Sequence, residues 1–185
     1  MPDAIELLIH PVRLRIVYAM AGGRVLSSSD LRARLPDVSK ATLYRHIGQL
    51  ADAGVLEVAS ERRARGAVER LYRLREDRTL ISAEAAATIS TEDHRRAFAA
   101  SVAAIMAEFS AYLDREGANP TADSVSYRQF TLWLSPAEVA GLIAKVRGVL
   151  MAPARHAPSP GRTPHLLSTI LFPIGPRSPG AAIPD

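Results

Sequence analysis

The chain of 185 residues has no cysteine. Disulfide staples and thiolate metal sites are therefore excluded, and an intracellular setting fits. No uninterrupted apolar run approaches the ~20 residues of a membrane-spanning helix, so no membrane association is expected. The opening MPDAIELLIHPVR has no basic stretch ahead of an apolar core. No secretory leader is expected from it, and a cytoplasmic location is. No Ser/His/Asp set, Gly-rich phosphate loop or paired-carboxylate pattern stands at a usable spacing, so neither an enzyme nor a cofactor is expected. There is no internal repeat.

What is present is an ordinary globular composition, 48% hydrophobic and 23% charged, enough for one medium domain or two small ones. The formal net charge of +4 is placed unevenly. Residues 1–78 hold 14 Lys and Arg against 10 Asp and Glu, while residues 79–185 hold nine of each. The excess positive charge lies wholly in the first part, as in a polyanion-binding module followed by a neutral partner segment.

Apolar residues at helical spacing predict a first helix over 4–21, with Pro11 kinking it or marking an internal start, and with Gly22 and Gly23 ending it. Ser27, with Asp30 three residues on, predicts the start of a short second helix that Pro36 stops. Ser39 is expected to cap a third helix, in which Leu43, Ile47 and Leu50 form the buried stripe and Gly54 follows the end. VLEVAS and VERLYRL then read as the strands of a hairpin whose basic tip turns at Gly66.

This order gives the third helix two tasks. A helix that enters a DNA major groove is anchored on one side and polar at its N-terminal end, where base edges are met. Ser39, Lys40, Thr42, Tyr44, Arg45 and His46 are the candidate DNA-binding residues there. Arg and Lys can pair with guanine, and Thr and Tyr can reach phosphate or a thymine methyl. Arg62, Arg63 and Arg65 at the hairpin tip, flanked by Arg70, are expected to meet the backbone or minor groove. The bland alternative for each set is a solvated surface. For His46, capping or packing stands level with DNA contact. His10 is read as a packing or capping residue.

Residues 10–74 resemble the winged helix-turn-helix domain of ArsR-like bacterial transcriptional regulators. The resemblance rests on HPVRLRIVYAM, SSSDLRARL, SKATLYRHIGQLADAGVLEV and RLYRL. It implies a dimeric, sequence-specific regulator, most often a repressor. Tyr44 stands where the family commonly has a small residue, so no base preference carries over. Metal-sensing members use Cys or Asp/His groups. Here Cys is absent and Asp93-His94 is the only such pair on the long helix, so no metal is expected.

Beyond the hairpin, RTLISAEAAATIS is Ala-rich and reads as a separate or frayed helix. A long helix over 91–116 carries Phe98, Val102, Ile105, Phe109 and Tyr112 at 4-3-4-3 spacing, a seam expected to dimerise and otherwise to pack within the chain. The segment 124–134 alternates, with Phe130, Leu132 and Leu134 on one face, and reads as a strand. Ser135, Pro136 and Glu138 begin a helix whose buried face is Val139, Leu142, Ile143, Val146 and Leu150. HLLSTILFPI reads as a second strand. Trp133 is expected in a core, or else in an effector pocket or interface; His156 and His165 are expected at the surface.

The expected fold is therefore α+β and mainly α. A winged helix-turn-helix domain (1–78) precedes a helical dimerisation segment (79–117). A strand-helix-strand domain (124–174), expected to take part in dimerisation and to be where a small-molecule effector would act, and a disordered tail (175–185) follow. The expected function is a homodimeric repressor that reads an inverted repeat in double-stranded DNA. A protein-interaction or ligand-binding module without specific DNA readout is the alternative.

Overall fold

In a computed structural model of the chain, residues 7, 9–64, 67–75, 89–154 and 156–175 are described. They fall into two compact units, Met1–Val125 and Ser126–Asp185. The described residues are α+β and mainly α, with five helices and one three-stranded antiparallel sheet.

In the first unit, α1 spans Pro11–Met20. Pro11 is an internal start: it occupies the first turn, and the Val12 amide donates to His10 Nδ1 at 3.2 Å, which makes His10 the cap. A short strand β1, Val25–Ser27, leads into α2, Ser28–Arg34. The Ser27 capping box is complete: the Asp30 amide donates to Ser27 Oγ at 3.1 Å and the Ser27 amide to Asp30 Oδ2 at 2.9 Å. These bonds from Ser27 hold the Asp30 carboxyl below its ordinary range. Ser39 caps α3, Lys40–Asp52, through the Thr42 amide at 3.3 Å. Gly54, at φ 71°, turns the chain out of α3 in the left-handed region that glycine adopts without cost.

Strands β2, Leu56–Ala64, and β3, Ala67–Leu74, form the hairpin, and β1 adds to the far side of β3, giving the order β1-β3-β2. A bulge falls between Val58 and Ser60. The core joins Ile16 and Met20 of α1, Leu31 and Leu35, Val38, Leu43, Ile47 and Leu50 of α3, and Val55 and Leu56. Strand β1 was not anticipated. It is too short to show alternation, and Ser27 serves both as its last residue and as the cap of α2.

Helix α4, Thr91–Leu113, is capped by Ser90 and packs on α1. Its two buried residues, Ala100 and Ala104, are small and one turn apart, which allows the close approach. By length and mean hydropathy of 1.2, α4 is apolar enough to cross a membrane. Ser101 and Glu108 interrupt its apolar run, so a search for uninterrupted runs passes it over.

In the second unit, α5 spans Pro136–Ala154 and begins on the expected box, with the Ser135 amide donating to Glu138 Oε2 at 2.8 Å. The expected buried face is not buried: Val139, Leu142, Val146 and Leu150 are half-buried and Ile143 is exposed. The two expected strands flanking α5 do not form a ladder among the described residues. Alternation shows that a segment can line a face. It does not supply the neighbouring strand that must accept its backbone hydrogen bonds. Trp133, expected in a core, is 94% exposed for the same reason. His156 and His165 are at the surface, as expected. Arg65, Gly66, the RTLISAEAAATIS helix and nearly all of the tail lie outside the described residues.

Candidate nucleic-acid interface

The helix α3 has two faces. Leu43, Ile47 and Leu50 are at most 2% exposed and insert into the core against α1 and α2. Ser39, Lys40, Tyr44 and Arg45 are exposed, and Thr42 is half-buried at the edge of the same surface. The Lys40 ammonium lies 5.7 Å from the centre of the Tyr44 ring, a cation–π contact that steadies both side chains. Ser39 Oγ donates to Thr42 Oγ1 at 2.9 Å, so the cap and the first turn are tied together.

His46 does not belong to this surface. It is 3% exposed, and its ring lies against His10 of the α1 cap, centroids 4.2 Å apart and planes tilted by 44°. Three positions after Leu43, it lies on the anchoring side of the wheel, and His46 Nδ1 donates to Gln49 Oε1 at 3.0 Å. Of its two readings, packing holds, and DNA contact is withdrawn. Burial pushes the pKa of both histidines down, and the nearby Arg13 and Arg45 guanidiniums push further in the same direction. Among the described residues, His46 Nε2 has no hydrogen-bond partner. The pair is therefore built to be neutral.

Beside the exposed face is an open groove of about 490 Å³ between α2 and α3, lined by Ser29, Arg32, Ala33, Pro36, Lys40 and Tyr44. Arg32 and Ser29 were not singled out in the sequence. The signal existed: the Ser27–Asp30 box fixes the phase of α2 and puts 29 and 32 together on one face.

On the wing, Arg62 pairs with Glu69 at 2.9 Å and Arg70 with Glu61 at 3.2 Å, each across the β2–β3 ladder. Arg73 pairs with Glu57 in the same way. The Arg70–Glu61 and Arg73–Glu57 pairs are exposed and weak in water, so a phosphate can displace them, whereas Glu69 is half-buried. Arg63 stands opposite Val68 rather than a carboxylate, and it is exposed.

Beneath the site lies a charged cluster with no precedent in the sequence reading. Arg15 of α1 is buried and donates twice to Asp37, at 2.6 and 2.9 Å, and through Nε to Glu108 of α4 at 2.7 Å. The hydrogen bonds with Asp37 raise the pKa of Arg15 and lower that of Asp37. One side chain thus ties together α1, the turn before α3, and α4.

Helices in sequence order, a tight turn, an anchored helix with a basic outer face, and the start of a wing are the parts of a known DNA-binding arrangement. Residues 8–59 match the family model of a helix-turn-helix domain. Over those residues the chain is similar to that domain. The match supports a DNA-binding, regulatory role at a general level. It runs from the segment before α1 into β2 and leaves the rest of the chain unmatched. No curated protein matches the chain.

On α4, the expected seam of Phe98, Val102, Ile105, Phe109 and Tyr112 is not the face that meets α1, which is the Ala100–Ala104 side. Phe98 is 49% and Phe109 38% exposed, and the exposed Met106 and Leu113 extend the same stripe. Tyr112 donates to Asp123 Oδ2 at 2.6 Å.

Proposed function

We propose that the protein is a cytoplasmic, non-enzymatic, sequence-specific transcriptional regulator of the ArsR-like type, a homodimer that represses by binding an inverted repeat. The observation that carries this reading is the two-sided α3, with Leu43, Ile47 and Leu50 anchored and Lys40, Tyr44 and Arg45 presented. In this reading Lys40 and Arg45 meet base edges from the N-terminal half of the helix. Ser29, Arg32 and Arg63 meet phosphates on either side and fix the register. The apolar stripe of α4 supports pairing of two copies, which brings two recognition helices to successive major grooves.

The test is a gel shift on genomic fragments across a salt series. The account expects retardation that weakens steeply with salt, plus a subset of fragments retained at salt where random DNA is released. Absence of retardation even at low salt would favour a protein-interaction or ligand-binding module instead.

A further inference from the structure

In the second unit, the two segments that the sequence reads as strands carry neither strand nor helix among the described residues. Residues 128–134 and 163–171 make no backbone–backbone hydrogen bond with a described residue. Strand-forming segments whose backbone donors and acceptors lack a ladder are either covered or aggregate. Both segments are nearly free of charge: Arg128 is the one ionisable residue in 128–134, and His165 the one in 163–174. Pro164 and Pro173 bracket the second segment, and proline cannot donate to a ladder, so any pairing there has fixed ends. Apolar side chains are exposed on both segments and on α5, including Phe130, Leu132, Trp133, Leu167, Ile170 and Ile143.

We propose that the segments 128–134 and 163–171 complete their β-ladder with the same segments of a second copy, so that the second unit is a shared intersubunit sheet with α5 laid against it. This rests on the homodimer reading above and specifies where part of the dimer contact lies. Phe130 and Trp133 alone offer on the order of 250–400 Å² of aromatic surface. With the exposed aliphatic side chains the total approaches the ~800 Å² per partner of a standard interface. A near-neutral apolar surface does not suit DNA. It does suit another surface of its own kind, and a two-fold arrangement closes on itself rather than growing into a fibre.

The test is amide hydrogen exchange on the full chain over a dilution series, with oligomeric state followed by sedimentation. Amides of 128–134 and 165–171 are expected to exchange at least ~10-fold faster in the dissociated chain than in the dimer. Ile170→Pro is expected to weaken dimerisation at least ~10-fold and to deprotect 128–134 as well. Three results overturn the inference. A dimer whose amides exchange freely there leaves the regulator reading intact. Protection that survives dilution to monomer means the cover is within one chain. Protection that appears only with phosphatidylglycerol vesicles means the partner is lipid. Conversely, dilution-sensitive protection in a protein that retards no DNA defeats the regulator reading and spares the inference.

Discussion

His46 and Arg45 are neighbours in sequence with opposite duties, because one step along a helix turns the side chain by ~100°. Arg45 is exposed on the presented face, and Arg45→Ala should weaken binding to a specific site by ~1–3 kcal/mol while barely changing binding to random DNA. Equal losses on both, measured by titration, would remove it from base reading. His46 and His10 are held neutral, and both pKa values lie below 6.5 in the fold. The unfolded chain therefore binds more protons than the folded one once the pH drops below about 6.5. Stability attributable to the pair is complete above that value and declines as the pH falls toward the folded-state pKa. Chemical denaturation of the wild type at pH 7.5 and 5.5 should show this fall, and His46→Leu should reduce it; an unchanged pH slope in the variant would contradict the assignment. Sequence alone left His46 undecided because nothing local reveals that His10, thirty-six positions earlier, packs against it.

The helices owe their limits to residues that sequence could show, and their mutual placement to residues that it could not. Ser27, Ser39 and Ser135 each cap the helix they were expected to begin. The Arg15–Asp37–Glu108 cluster joins positions far apart in the chain, and charge spacing is informative only within a turn or two. Arg15→Ala should destabilise the first unit by roughly 2–3 kcal/mol. That is less than the ~3–5 kcal/mol of a fully buried pair, because Asp37 is half-exposed and screened. Urea unfolding reads this directly, and a loss under half a kcal/mol would show that the cluster is incidental. The same periodicity argument that found β2 and β3 also expected strands on either side of α5. It succeeded where a partner strand lies alongside and failed where none does among the described residues. On the wing, Arg63→Ala should weaken all DNA sequences alike and reduce the slope of log affinity against log salt by about 0.9. A loss confined to one sequence would instead mark Arg63 as a base-reading residue.

For the molecule as a whole, α4 is the element that connects reading to assembly. Its small-residue side and Glu108 fix it to α1, beside the turn that starts α3. Its exposed apolar stripe would meet a partner copy in the proposed dimer. A shift in how two such helices pair would be passed to both recognition helices through Arg15. An effector could release DNA by that route only if it favours the non-operator geometry. The central claim remains that the outer face of α3 reads a double helix. It is tested most directly by selecting genomic fragments with the full chain and sequencing what is retained. The account predicts one enriched inverted repeat with half-sites centred about one helical turn, ~34–36 Å, apart, and a relaxed preference at one base of each half-site for Arg45→Ala. Retention without any enriched sequence, or an identical motif for the variant, would contradict it.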